Sequence, residues 1–325
     1  MKLLVTGANG FVGAAAVDYL SEQNHEVLAH TRRGIASPNA TQPATQVQHV
    51  QHVRGAYEQL ASWSDQLVGC DAVLHTAARV HQMHEASLDP MLDYRRVNVA
   101  HTLALAQAAA LAGVARFVFL SSVKVNGNYT LKNHPYTAHD APNPADPYGI
   151  SKHEAEQGLM DIAAQTGMQV VIIRPPLIYG PGAKANFLSM MRWLQRGVPL
   201  PLGAIHNQRS LLGIRNLLDV INVCLTHPRA ANQIFLASDG QDVSTTELLQ
   251  LMGQALDKPA RLVKVPQSWL ELGAKALGKP GIAQRLCGNL AVDINKTREL
   301  LEWQPPVSLE AGLRETAAHF LQSQR

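Results

Sequence analysis

Short apolar runs alternate with longer stretches of helical period along the first half of this chain. KLLVT (2–6), HEVLAHT (25–31), DAVLHTAA (71–78), RFVFLSS (116–122) and MQVVIIRP (168–175) read as strands, with a weaker one over 47–53. MQVVIIRP is nearly all apolar, as suits a strand covered on both faces. Helical patterns fill the intervals: residues 11–23, residues 91–112 closed by Gly113, and residues 146–165 with Pro147 in the first turn. This alternation predicts a doubly wound parallel sheet with helices on both sides. After Pro175 the pattern changes. PPLIYGPG is rich in turn residues. Helical stretches follow at 186–196, 215–226, 245–256, 267–277, 295–301 and from Ser308, with one strand near 233–237. The fold class is therefore α/β. A Rossmann domain is expected over 1–175, its sheet joined by the returning strand at 233–237, and a smaller mixed α/β substrate domain over 176–325. SWLELGAKALG (268–278) is amphipathic; packing onto the core is expected, with contact to a membrane surface as the alternative.

Composition adds mainly exclusions. The 325 residues are 46% hydrophobic, enough for one large core or two domains sharing an interface. The net charge of +3 is small, and no basic run points to nucleic acid. No stretch approaches the ~20 apolar residues of a membrane span. MKLLVTGANG meets glycine after a few apolar positions, so it reads as a strand rather than a leader. Cys70, Cys224 and Cys287 are an odd number and lie far apart, which favours buried thiols in a reducing, cytoplasmic setting. The 14 histidines show no ligand spacing, so no metal is expected.

Two constellations carry chemistry. TGANGFVG (6–13) follows the first strand and opens a helix. Gly7 permits the turn, Gly10 lets backbone approach a pyrophosphate, and Gly13 lets helix and strand pack closely. Asn9, Phe11 and Val12 belong to the same loop. The spacing is GxxGxxG rather than GxGxxG, and a plain glycine turn is the alternative. In PYGISK, Tyr148 and Lys152 lie four apart on one helix face. A phenol has a pKa near ~10, and a neighbouring ammonium favours its ionised form. Tyr148 is thus a candidate to exchange a proton with a sugar oxygen, and Lys152 to reach the nicotinamide ribose. Ser122, at the C-terminal end of the fifth strand, is where ligands bind in open parallel sheets. Ser121 is its rival. No GxSxG elbow surrounds either serine, which argues against a hydrolase.

Taken together, the chain resembles the extended short-chain dehydrogenases/reductases of the nucleotide-sugar branch, the NAD-dependent epimerase/dehydratase family. TGANGFVG, DAVLHTAA, VNVAHT, LSSVKVNG, YGISK and RPPLIYGPG carry the resemblance, and S-x-x-V-x-G in register selects Ser122 over Ser121. The resemblance implies catalytic Ser122, Tyr148 and Lys152. It implies NAD or NADP lined by His75, Ala77, Ala78 and Pro175, with Asn98 ordering the site. It implies a UDP-sugar held by Arg209, with Lys184, Asn186 and Arg285 as further candidates. It also implies a homodimer through the helices near 91–112 and 147–166. Two departures stand out: His101 replaces the glycine of VNVxGT, and Ala56 replaces an acid expected near the adenine.

Three reactions compete within the branch. Dehydratases read TDE where this chain has Ser122, Val123 and Lys124, so the needed acid is missing. The 4-epimerases end the sixth strand in RYFNxxG, whereas RPPLIYG places Leu177 at the asparagine. SSVKVNG and CGNLAVDINKTRELLEW look most like the UDP-N-acetylquinovosamine dehydrogenases. The sequence therefore favours NADPH-dependent reduction of a UDP-4-keto-6-deoxy-N-acetylhexosamine in surface-polysaccharide synthesis. A 4-epimerase with tightly held NAD is the alternative, and a catalytically inactive nucleotide sensor a third. At the end of the second strand, Thr31, Arg32 and Arg33 stand where an acid would hold the NAD ribose; a hydroxyl and two cations suit the 2′-phosphate of NADP.

Overall fold

The apolar runs form a parallel sheet. The protein is described here from a computed structural model over residues 1–31, 49–54, 66–80, 89–183, 185–278 and 280–324. In chain order the elements are β1 (Lys2–Thr6), α1 (Phe11–Glu22), β2 (Glu26–Thr31), β3 (Val50–Arg54), β4 (Ala72–His75), α2 (Pro90–Tyr94), a π-helical stretch (Arg95–Ala100) and α3 (His101–Leu111). Next come β5 (Arg116–Leu120), a 3₁₀ turn (Val123–Val125), α4 (Pro147–Thr166), β6 (Gln169–Arg174), β7 (Leu177–Tyr179), α5 (Ala185–Gln195), β8 (Leu211–Gly213), α6 (Ile214–Thr226) and β9 (Gln233–Leu236). The C-terminal part holds α7 (Thr245–Ala255), α8 (Gln267–Ala276), α9 (Pro280–Cys287), α10 (Asn295–Leu301) and α11 (Leu309–Gln322).

The main sheet runs β3-β2-β1-β4-β5-β6-β9, every neighbouring pair parallel. Its continuous apolar runs have a simple cause: both faces are covered. Leu3, Val5, Leu74, Val118, Leu120, Val171 and Ile173 face one core, shared with α1 and α6. Leu4, Val73, Phe117, Phe119, Val170 and Ile172 face another, shared with α3 and α4. The strand order reverses between β1 and β4, and their C-terminal ends form the crevice where open sheets bind ligands. A third core gathers α5, α7 and α11 around Tyr179, Leu249 and Leu313. Tyr179 donates to Asp239 at 2.8 Å, which also accepts from Gly213 N and Asn216, both at 2.7 Å.

Several local features differ from the sequence reading. The helix expected over 91–112 is three segments, and the π stretch turns Asn98 into the interior. PPLIYGPG hides β7, which pairs with β8 as a second parallel sheet; three-residue strands are too short to show a period. α9 was also missed. The stretch 267–277 forms α8, which meets the third core through Leu270 as expected but contains no fully buried residue.

The packing of α1 on β1 depends on glycine. Gly7 has φ +76°, and a Cβ there would lie 2.8 Å from Ala77 N. A Cβ at Gly13 would lie 2.2 Å from the Gly7 carbonyl oxygen, so the loop and helix must separate to admit one. Gly13→Ala is expected to cost about 1–3 kcal/mol of stability, read from the urea midpoint, and to release bound dinucleotide on dialysis.

Candidate active site

Three elements converge at the C-terminal edge of the sheet. β5 ends at Leu120 and delivers Ser121 and Ser122. The 3₁₀ turn follows, capped by Ser122, whose hydroxyl accepts from Lys124 N at 3.2 Å. α4 begins beside that turn. Its cap, Asp146, accepts from Gly149 N at 2.8 Å and pairs with Lys124 at 3.2 Å. The contact is close: a Cβ at Gly149 would lie 2.7 Å from the Lys124 carbonyl oxygen. This approach brings the Tyr148 phenol near the Ser122 hydroxyl, close enough for Ser122 to lower the phenol's pKa.

The two serines divide. Ser121 is buried and donates to Glu156 Oε1 at 2.5 Å. Glu156 pairs with buried Arg174 (Nη2 to Oε2 2.5 Å, Nε to Oε1 3.0 Å), and Arg174 Nη1 donates to Asn126 at 3.1 Å. Ser121 is thus spent inside the protein, while half-buried Ser122 keeps its hydroxyl against Tyr148. Glu156, Arg174 and Asn126 were not singled out from sequence. The signal was present: Glu156 continues the i, i+4 row of Tyr148 and Lys152, and Arg174 is a charge closing an apolar strand.

Lys152 is buried. Its Nζ donates to the Leu120 carbonyl at 2.8 Å and lies 4.3 Å from the centre of the Phe119 ring. Burial lowers its pKa to about 7, against the pull of Glu156. Burial also raises the Tyr148 pKa above the ordinary phenol value, opposed by the Ser122 hydroxyl and reinforced by Asp146.

The dinucleotide cradle fits its expected ligand. The glycine loop leaves no room for side chains at Gly7 and Gly13, and Gly10 caps α1 without a side-chain hydrogen bond. The first-turn N–H groups of α1 therefore face outward from a site with no acid in that turn, as an anion requires. Asn9 is exposed, and Phe11 and Val12 are half-buried. Ala77 and Ala78 are half-buried beside the loop, and buried Pro175 accepts from Val123 N at 3.0 Å.

Other candidates are placed differently. His75 is buried, and its ring nitrogens meet Thr6 at 2.7 Å and Thr102 at 3.0 Å. Its pKa falls to about 3 through burial, then through Lys152, His30 and His101. The ring is a neutral tie between β1, β4 and α3, so His75 can line a ligand only through its backbone. Asn98 is likewise internal: it exchanges hydrogen bonds with the Arg79 backbone (2.8 and 3.1 Å) and donates to Ser151 at 3.0 Å. Thr31 ends β2 and is buried; Arg32 and Arg33 lie outside the described residues, as does Lys184. Asn186 falls in the first turn of α5. Half-buried Arg209 donates from Nη1 to the carbonyls of Arg285 (3.0 Å) and Gly288 (3.1 Å), and Arg285 itself is exposed. Arg209 connects by backbone bridges to the segments that follow the 3₁₀ turn. It bridges to Leu290, while Thr130 and Tyr136 bridge to Asn289 and Val292.

The profile of the NAD dependent epimerase/dehydratase family matches residues 3–237. A UDP-glucose 4-epimerase of Vibrio cholerae is 43% identical over 324 residues, covering 99% of this chain and 96% of that protein. A UDP-N-acetylglucosamine 4-epimerase from Bacillus cereus has the same fold, with a TM-score of 0.80 at 18% identity over 100% of both chains. So does a UDP-glucuronic acid 4-epimerase from the same organism in complex with NAD, at 0.76 and 21%, again over 100% of both chains.

Two measurements test the buried charges. Below about pH 7 the folded protein carries the Lys152 ammonium in its interior. Between about 7 and 10.5 the unfolded chain still holds the proton that the folded protein has lost, so stability rises with pH across that window. Lys152→Met should flatten this rise, seen in urea midpoints at both ends of it. Arg174→Met should cost about 3–5 kcal/mol by stranding Glu156, and the pair Glu156→Leu with Arg174→Met should recover most of the loss.

Proposed function

Because the chain belongs to the NAD dependent epimerase/dehydratase family, we propose that it is a nucleotide-sugar enzyme inverting C4 of a UDP-hexose or UDP-N-acetylhexosamine. The observation that carries this reading is the convergence of Ser122 and Tyr148 at the C-terminal edge of the sheet, with Lys152 buried one helical turn along. The epimerase assignment, rather than the reductase that the sequence favoured, is supported by the full-length relative at 43% identity. NAD would lie on the glycine loop and the N-terminus of α1, and it would supply the hydride acceptor and donor.

The chain's own residues manage the proton. Tyr148 takes it from the C4 hydroxyl and gives it back at the end of the cycle. Ser122 donates to the C4 oxygen and holds it against the phenol, a preorganised donor that is worth most where charge develops. Lys152, at its altered pKa, stabilises the phenolate from behind. Inversion requires the same pair to serve the C4 oxygen when the sugar presents its other face. Arg209 suits the diphosphate through its planar fork, with Lys184, Asn186 and Arg285 as further contacts. Thr31, Arg32 and Arg33 in place of an acid leave the cofactor site tolerant of NADP.

A second reading, 4-keto reduction, is favoured by one feature: Leu177 stands where the epimerases have asparagine. One assay separates the two. Purified protein without added cofactor should convert UDP-glucose to UDP-galactose, or UDP-N-acetylglucosamine to UDP-N-acetylgalactosamine. If it does neither, yet consumes NADPH with a 4-keto-6-deoxy UDP-sugar, the epimerase reading is wrong. Tyr148→Phe should lower turnover about 10²- to 10⁴-fold while bound dinucleotide stays at wild-type occupancy.

A further inference from the structure

The helix α8 is apolar on the side that faces away from the protein. At about 100° per residue, Gln267, Leu270 and Ala274 share one side. These are its half-buried positions, and Leu270 packs on the third core. Trp269, Leu272 and Ala276 form a stripe on the opposite side. Trp269 is 73% exposed and Leu272 69%; Leu277, just past the helix, is 77% exposed and Val263, just before it, 51%. A ten-residue helix is too short to be stable alone, and α8 buries none of its residues. A surface helix normally turns its apolar stripe inward, and contiguous exposed apolar surface of this kind marks an interaction site.

Charge identifies the occupant. Asp257 to Arg285 contains six basic residues (Lys258, Arg261, Lys264, Lys275, Lys279, Arg285) and two acids, Asp257 and Glu271. That net of +4 exceeds the +3 of the whole chain, so the rest of the molecule is slightly negative. Lys258, Arg261, Lys264 and Lys275 are exposed, and Lys275 flanks the stripe on the helix itself. Glu271, the one acid on the helix, accepts from Gln267 at 2.7 Å. Tryptophan and leucine on one face, with Lys275 at its border and further exposed lysines in the preceding segment, match the boundary of an anionic bilayer. There the rings enter the headgroup layer and the ammonium groups reach lipid phosphate. No helix among the described residues is long and apolar enough to cross a membrane, so contact would be peripheral. We propose that the α8 face docks the enzyme on anionic phospholipid, with Trp269 and Leu272 inserted and Lys264 and Lys275 on the headgroups.

The test is sedimentation of the full chain with two kinds of vesicle: pure phosphatidylcholine, and phosphatidylcholine containing about 30% phosphatidylglycerol. Binding should favour the anionic vesicles by about tenfold or more and fall when salt rises to about 0.5 M. Lys264→Gln with Lys275→Gln should weaken it roughly 25-fold, about fivefold for each charge. Trp269→Ser with Leu272→Ser should abolish it. Both variants should keep wild-type turnover on soluble nucleotide sugar, which also shows that they fold. Equal binding to the two vesicles, no binding to either, or anionic binding untouched by both variants would overturn the proposal. So would an oligomer that binds no vesicle and dissociates in the Trp269→Ser, Leu272→Ser variant, for then the face belongs to a second copy of the chain.

Discussion

The buried ion pair between Glu156 and Arg174 holds the C-terminal edge of the sheet together. Two charges so far from water are tolerable only if each is neutralised and its remaining polar atoms are bonded. Ser121 and Asn126 complete that requirement, one on each side. The pair thus ties four pieces of chain: the end of β5, the 3₁₀ turn, the middle of α4 and the end of β6. Tyr148, Lys152 and Glu156 form one row along α4, spaced by single turns. Fixing Glu156 at one end of the row therefore fixes the phenol about 12 Å away at the other. The same carboxylate also favours the Lys152 ammonium, so structural support and electrostatic tuning come from one group.

A comparable economy appears at the sheet switch point. Thr6, His75 and Thr102 form a neutral chain across β1, β4 and α3, and the His75 ring stacks on Phe119 at 5.9 Å. Lys152 lies over the same phenyl ring. A charged imidazole there would lose hydration and then be repelled by the ammonium, and for both reasons its pKa is depressed. At this point the sheet keeps its histidine neutral and leaves the charge to Lys152 on α4.

Much of this was legible in the sequence, for physical reasons that differ by element. Strands covered on both faces announce themselves as apolar runs, so β1, β2, β4, β5 and β6 were readable. Helices with proline starts or glycine ends were readable too. β7 and β8 were not, because three residues cannot display a period, and the π stretch is a change of winding within an unbroken helical pattern. At the site, the i, i+4 spacing of Tyr148 and Lys152 and the strand-end position of Ser122 pointed to neighbours that the fold does bring together. His75 was legible as important but not in its placement: a histidine at a strand end looks the same in sequence whether it faces a ligand or the core. The face of α8 shows the converse failure. An amphipathic pattern reports that two sides differ, but apolar positions at Leu270 and Ala274 and again at Trp269, Leu272 and Ala276 do not say which stripe the protein covers.

The opposite pKa shifts of Tyr148 and Lys152 follow from a single cause. Burial disfavours any isolated charge, so it raises the phenol and lowers the ammonium, and each residue alone is driven toward its neutral form. A phenolate and an ammonium one helical turn apart are different, because each offsets part of the other's desolvation. A hydroxyl donor, Ser122, lies near the phenol and opposes its upward shift. That donor is in place because its neighbour Ser121 is committed to Glu156. The division of labour between two adjacent serines thus leaves one hydroxyl for the ion network and one for the half-buried Tyr148.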